Sequence, residues 1–408
     1  MGKSIKFVGQ PILSQIHSCI PNNEIRLIAK NRNANRYYKK IPLQVHLITL
    51  LYGVFSHCDG LREICEGMLA CEGKLNHLGL LKAPARSTLS DANTNRSWRI
   101  FEEIYMMMLK HYQSFLSDSR LKGLSISKLK AIDSSTIQLF SDLLQGVGRN
   151  PKTGKKKGGL KVHTLMDVCS GVADFVRITA AKVHDKKFLA FVNLEPGSFL
   201  VFDKAYNHYL QFASWTKNEI WFVTRMKDNA VYEVTKVIYH IPKKDGTGVL
   251  REEEITLSYK DEKKIIQKLP LRRITFKDEK GRIYYFLTNK FKMDAQEVAL
   301  IYKYRWKIEL LFKQIKQNFP LRYFWGESEN AIRIQIYCVL IAQLLMIVIK
   351  KKSQTKKSFA SIITVVRLHL MSYVELFVFI KDTYKAWHSN SPPLTNSQSQ
   401  GINLSFDF

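Results

Sequence analysis

Apolar residues recur at helical spacing early in the chain. Leu43, Leu47, Leu50, Leu51 and Val54 follow Pro42, and His57-Cys58-Asp59-Gly60 then breaks the pattern before a second segment from Leu61 to Leu69. A period near 3.6 marks helices that bury one face, so residues 1 to about 120 are expected to form an all-α lobe. Within it, Ser87-Thr88-Leu89-Ser90-Asp91-Ala92-Asn93, preceded by Arg86, reads as a short helix with a serine placed to cap it. Its small hydrogen-bonding side chains suit a major groove, and an ordinary capped surface helix has the same make-up.

From about residue 125 the pattern changes to short β-type runs alternating with helical ones. Strands are expected at Lys128 to Ile132, Leu160 to Val168, Val172 to Ile178, Phe199 to Phe202 and Ile220 to Thr224, with helices at 185 to 192 and 207 to 217. An α/β core follows from that alternation. Residues 225 to 290 carry extended, aromatic and basic runs, including Leu271 to Phe276 and Ile283 to Leu287, with turns at Asp245-Gly246 and Lys280-Gly281, and read as a β-rich insertion. Helical periodicity returns from Asp294 to Gln317 and from Ala331 to Ile349, and the tail from about Ser389 is rich in Ser, Asn, Pro and Gln, a composition of poorly ordered segments. The apolar stretch from Ile334 to Ile349 is interrupted by two glutamines and falls short of the roughly 20 residues a bilayer requires, so a buried core helix is expected.

Charge narrows the class of partner. The 408 residues include 63 Lys and Arg against 35 Asp and Glu, a net charge of +28 that concentrates polyanions, so nucleic acid is the expected partner. Six cysteines are too sparse for a disulfide scaffold and the start lacks the apolar run of a secretion signal, which favours a reducing compartment. Cys58, Cys65 and Cys71 with His57 and His77 lack a paired-cysteine spacing, so buried thiols are expected in preference to zinc.

Two carboxylates close apolar runs: Asp133 after Leu129 to Ile132, and Asp203 after Phe199 to Phe202. Neighbouring strands can converge such groups on a hard cation, although a turn or helix N-cap is the commoner use of an Asp there. In the helical segment Ile301 to Lys316, Tyr302, Arg305, Glu309 and Lys316 fall in one stripe about 60° wide beside an apolar face. A carboxylate among cations can ligate a metal while Arg305 and Lys316 hold phosphate oxygens, and a solvated face of i,i+4 pairs among Arg305, Glu309 and Lys313 fits the same spacing.

The spacing Tyr-x2-Arg-x3-Glu-x6-Lys resembles the Y-R-E-K signature of DDE transposases encoded by bacterial insertion sequences of family four. Ala131 to Ser135 resembles that family's first catalytic Asp block, Phe202 to Tyr206 its second, and Phe222 to Arg225 and Phe286 to Asn289 the strands that bracket its insertion. The resemblance covers about residues 125 to 350. It implies an α/β, RNase-H-like catalytic core interrupted by a β-rich insertion and preceded by an all-α DNA-binding lobe. It further implies that Asp133, Asp203 and Glu309 hold two Mg²⁺ ions, with Mn²⁺ as a substitute, while Tyr302, Arg305 and Lys316 contact transposon-end DNA. Three carboxylates suffice for two-metal displacement at phosphorus, with water and then a DNA 3′-hydroxyl as nucleophile, and no nucleotide cofactor is required.

The expected organisation is thus a DNA-binding domain at 1–120, a catalytic domain at 121–350 with its insertion at about 225–290, and a basic helical segment with a disordered tail at 351–408. The expected function is cut-and-paste transposition by a homodimer that synapses terminal inverted repeats and joins them to target DNA in the bacterial cytoplasm, at the nucleoid and away from membranes. An RNase-H-like nuclease that cuts without joining and a catalytically silent DNA-binding derivative are the competing readings. Lys155, Lys156, Lys157 and Lys161, with Arg149 and Lys152, crowd a glycine-rich stretch suited to DNA phosphates or to a solvated charge run; its spacing is not that of a Walker A loop. His163 and His184-Asp185 are expected to be structural or hydrogen-bonding. Some relatives flip a base onto a Trp of the insertion, but residues 225 to 295 contain none; Phe276, Tyr284, Tyr285 and Phe286 are the aromatics available there.

Overall fold

A computed structural model of the chain describes residues 9–116, 121–138, 159–239, 246, 248–319, 321 and 323–388. Six helices come first: α1 (Ile12–Ser18), α2 (Asn22–Asn31), α3 (Leu43–Ser56), α4 (Leu61–Leu69), α5 (Arg86–Asn95) and α6 (Trp98–Leu116). Their limits follow local chemistry. His57 ends α3 in the left-handed region at φ 58°, and extended Gly60 precedes α4. No serine caps α5: the residue before it is extended Ala85, whose methyl group has no oxygen to offer, and Ser87 lies within the helix. Asn93, expected on its reading face, is buried.

The strands are β1 (Leu129–Gln138), β2 (Gly159–Asp167), β3 (Val172–Ala180), β4 (Phe199–Phe202), β5 (Trp221–Arg225), β6 (Tyr232–Tyr239), β7 (Gly248–Lys260), β8 (Ile266–Lys277) and β9 (Ile283–Thr288), with helix α7 (Tyr209–Lys217) between β4 and β5. They form one sheet in the order β3-β2-β1-β4-β5-β9-β8-β7-β6. β1 is antiparallel to β2 and parallel to β4, β4 is parallel to β5, and β5 is antiparallel to β9. The insertion therefore extends the sheet instead of forming a separate layer. Residues 185–191, expected to be α-helical, form a 3-10 helix. The basic loop holding Lys155, Lys156 and Lys157, the turn residue Asp245 and the tail from residue 389 lie outside the described residues.

Alternation along β4 feeds two cores: Phe199 and Val201 join the cluster on one face of the sheet, Leu200 and Phe202 that on the other. The first face packs on α8 (Ala295–Tyr304), α9 (Trp306–Asn318) and α10 (Glu329–Ser353). The chain closes with α11 (Phe359–Leu368), α12 (Leu376–Lys381) and α13 (Thr383–His388). The Ser328 hydroxyl accepts the Ala331 N–H at the start of α10, Glu329 occupies the first turn and Lys350 to Lys352 the last, in accord with the helix dipole. At 25 residues α10 has the length and composition to cross a membrane, but 89% of its apolar window is buried within this fold. It runs between α3, α6 and the sheet, so helices before β1 and after β9 share one core. The ends of the fold also meet directly: Ile12 and Leu13 N–H groups donate to Ser372 and Leu370 carbonyls.

Candidate active site

The parallel pairing of β1 with β4 matches Ile132 to Phe202, which brings the next residues, Asp133 and Asp203, to the same level. Asp133 does not end its strand as the apolar run suggested: β1 continues to Gln138 because β2 pairs with it along its length, opposing Thr164 to Asp133. Asp203 does end β4 and also caps the short 3-10 turn at Lys204 to Tyr206 through the Ala205 N–H at 3.1 Å.

Glu309 arrives from the other side. The stripe from Tyr302 to Lys316 is not one uninterrupted helix, because Arg305 separates α8 from α9. Three-residue hydrogen bonds close the junction, Arg305 N–H to Tyr302 and Ile308 N–H to Arg305, tightening the chain into a 3-10 turn. Arg305 is thereby held with its side chain 13% exposed, its guanidinium 2.7 Å from Glu309 Oε1 and 3.9 Å from Asp133 Oδ2. Arg225, at the end of β5, bonds Asp203 Oδ2 at 2.6 Å, and the Tyr302 hydroxyl donates to the same oxygen at 3.5 Å. Lys316 is exposed and reaches the Thr136 carbonyl of β1 at 3.3 Å. Tyr302, Arg305, Glu309, Asp133 and Asp203 thus form one connected constellation, with Lys316 at its edge.

Electrostatics separates the two aspartates. Burial pushes the Asp133 carboxyl up to about 6; the Ser134 N–H and Arg305 oppose that rise, while Glu309 and Asp203 add to it. Burial also works against an ionised Asp203, but the Arg225 bond, the Ala205 N–H and Arg305 outweigh it and lower its pKa. Burial raises the Tyr302 hydroxyl, against the pull of Arg305 and Arg225.

Several contributors carry no signal in the linear spacing. Arg225 lies in a block that reads only as a strand. The Ser134 hydroxyl donates to Asp185 at 2.8 Å, and Asp185 also pairs with Lys161 at 3.1 Å and faces His163 at 3.7 Å. Lys161, expected on DNA, lies on β2 with its side chain largely buried and paired with that carboxylate. His163 also bonds the Thr179 hydroxyl at 3.0 Å. Next to the constellation, Arg225, Phe276, Tyr284, Tyr302 and Trp306 line a cavity of about 730 Å³. Trp306, 58% exposed and just beyond the insertion, is an aromatic that a search of the insertion does not find.

The donor set tests which cation the site suits. It is all oxygen, from partly buried carboxylates, with Asp133 raised chiefly by burial and further by Glu309 and Asp203, a chemistry for hard divalent ions. Arg305 and Arg225 neutralise these carboxylates, and among the described residues no three metal-binding side chains are grouped closely enough to share one ion. The residues fit a divalent cation by type, with the guanidiniums as its competitors.

A family model described as a transposase DDE domain matches residues 126–345, and one described as a domain of unknown function matches residues 8–81. The chain is 32% identical over 268 residues to "Putative transposase y4zB" of Sinorhizobium fredii, covering 65% of this chain and 71% of that protein. It is 25% identical over 312 residues to "Putative transposase for insertion sequence element IS4SA" of Synechocystis sp., covering 74% and 80%. Its likeness to a solved piggyBac transposase synaptic complex with hairpin DNA covers 96% of this chain and 84% of that one, at TM-score 0.45 and 10% identity, too distant to assign a fold. The DDE match takes in the strands and helices that carry all three carboxylates and spans more than half of the sequence, so the chain belongs to the DDE transposases and is a DNA transposase.

Proposed function

We propose that the chain cuts the terminal inverted repeats of an insertion sequence of the family-four type and joins them to target DNA, with Asp133, Asp203 and Glu309 as the catalytic carboxylates. The observation that carries this reading is the β1/β4 register, which sets two carboxylates side by side with Glu309 linked to them through Arg305. The antiparallel β3-β2-β1 followed by parallel β4 and β5 supports an RNase-H-like core, with β6 to β9 as its insertion.

DDE domains in general depend on divalent cations. Here Asp133, Asp203 and Glu309 would hold two Mg²⁺ or Mn²⁺ ions, which supply charge for the attacking and leaving oxygens of an in-line displacement. The protein's own contribution is positioning. Arg305 and Arg225, which neutralise carboxylates in the free chain, are placed to transfer their guanidinium bonds to phosphate oxygens of the scissile strand, with charge-assisted geometry. Tyr302 holds the Asp203 edge, and exposed Lys316 adds a cation on the DNA side of β1. The all-α lobe, residues 1–120, binds DNA, two protomers synapse two ends, and the reaction belongs to the bacterial cytoplasm at the nucleoid.

Incubating the purified chain with inverted-repeat DNA, a target plasmid and Mg²⁺, followed by sequencing of junctions, tests the proposal. Joined products support it. Cut but unjoined ends point to a nuclease, and binding without cleavage to a silent DNA-binding derivative.

A further inference from the structure

No carboxylate lies between Glu24 and Asp59, and Arg26, Lys30, Arg32, Arg36, Lys39 and Lys40 fall in the first half of that interval. In the fold this stretch leaves α2, crosses a turn-rich loop and enters α3. Arg26, Lys30, Asn33, Asn35, Arg36 and Gln44 surround an open cavity of about 480 Å³ there. All of these but Gln44 are exposed. Among the described residues Arg32 alone of the six cations forms an ion pair, with Glu103 at 2.7 Å.

The loop is held in one shape from beneath. Arg96, 1% exposed, donates from Nε to the Ala34 carbonyl at 3.1 Å and from Nη2 to the Ile41 carbonyl at 2.8 Å, and it covers the Tyr38 ring at 4.3 Å. Asn35 Oδ1 accepts the Leu43 N–H at 2.7 Å, and Asn33 and Tyr37 turn the chain at φ 48° and 68°. A surface ordered before its ligand arrives avoids the entropy cost of ordering on binding. Arg96 also adds a buried positive charge whose described partners are carbonyls, a histidine nitrogen and a ring, not a carboxylate.

We propose that this cavity grips the duplex DNA of the element's own ends, contacting backbone phosphates and a base edge. The proposal rests on the transposase reading and gives a task to the segment matched only as a domain of unknown function. Uncompensated cations call for a polyanion. Guanidiniums interleaved with Asn33 and Gln44 are the side-chain types that read guanine and adenine edges, whereas a surface for indiscriminate DNA needs only the cations.

The test uses the full chain and a labelled duplex of the inverted repeat flanking its gene, against a scrambled duplex of equal length, titrated at several salt concentrations. The triple variant Arg26→Ala, Lys30→Ala, Arg36→Ala is expected to melt as the wild type does, to bind the end duplex at least tenfold more weakly and to lose its preference for the end. Its log affinity should also fall less steeply with log salt, by about 0.9 for each phosphate contact removed. The double variant Arg26→Lys, Arg36→Lys keeps the charge and should keep most of the salt dependence while losing preference, because an ammonium cannot make the bidentate contact. This variant decides the matter if the triple variant is unstable. Unchanged end affinity in the folded triple variant overturns the proposal, as does equal weakening on both duplexes with preference intact, which assigns the surface to target DNA. A wild-type chain that neither binds nor cuts the end duplex refutes the transposase reading and this proposal with it.

Discussion

Asp133 ionises at a cost in the folded chain. Its carboxyl titrates at about 6 against an ordinary 3.8, chiefly through burial. A raised folded pKa means that the native state binds more protons between about pH 4 and 6, so stability falls as pH rises through that window and the full penalty stands above it. At about 1.4 kcal/mol per unit, the penalty is on the order of 2 to 3 kcal/mol. Asp133→Asn should therefore raise the melting temperature near pH 7.5, leave it nearly unchanged at pH 4, and abolish cleavage. Melts at the two pH values check this, and an equal shift at both would trace the effect to packing instead. Saturating Mn²⁺ should likewise raise the wild-type melting temperature, by the equivalent of about 2.7 kcal/mol at one hundred times its dissociation constant. Chelation should reverse that rise, and Asp133→Asn should lose most of it. Arg305 and Lys316 separate by burial. Arg305→Ala strips a part-buried pairing from Glu309 and Asp133, so it should cost over about 1 kcal/mol and at least tenfold in cleavage. Lys316→Ala should leave the melt unchanged, because its cation is exposed, and should still weaken the end complex tenfold or more. Near-normal transposition by the double variant would remove both residues from the DNA contact.

At the level of elements, the α8/α9 junction positions side chains of the site and the α3/α4 contact packs the helical lobe. Without the 3-10 turn at Arg305, the helix would carry Tyr302 and Glu309 on one straight axis; with it, the Tyr302 hydroxyl meets Asp203 while Glu309 faces Arg305. In α3, Gly53 sits where a Cβ would lie 2.5 Å from Ile64 Cδ1 and 3.0 Å from the Trp325 ring. Alanine normally favours a helix interior by about 1 kcal/mol over glycine. Here overpacking, at about 1 to 3 kcal/mol, outweighs that gain, and Gly53→Ala should lower the urea midpoint. Gly73→Ala, inside the 3-10 helix Glu72–Leu78, whose Cβ meets nothing within 4 Å, is the control and should not.

At the level of the whole molecule, the C-terminal helices complete the core of the N-terminal ones. Gln15 spans the seam, donating to the Val374 carbonyl at 2.7 Å and accepting the Leu376 N–H at 2.8 Å. A chain ending at Ser353 removes α11 to α13 and should lose protection from hydrogen exchange in α1 and α3 first, since these pack on the missing elements. Protection equal to that of the full chain would show that the helical lobe stands without them. The net charge of +28 makes DNA binding as a whole a counterion-release process, so log affinity should fall linearly and steeply with log salt. A flat dependence would mean that the charge serves another purpose.

Sequence alone determined most element positions, because hydrophobic period and turn residues are local properties; β4 occupies the very residues expected of it, and α4 likewise, whereas the three carboxylates were singled out by the family resemblance and not by their period. It suggested less of β6 and β7. There Arg272 and Arg273 of β8 neutralise Glu252 and Glu253 of β7 across the sheet, pairings that spacing along the chain does not show. Tertiary structure decided the rest. Strand order sets Asp133 beside Asp203, the packing of α10 and the Gln15 seam join the two helical regions, and contact geometry shows that Lys161 is engaged by Asp185 while Arg225 guards Asp203. Each of these pairings joins residues far apart along the chain, where period and spacing carry no information about which charge meets which.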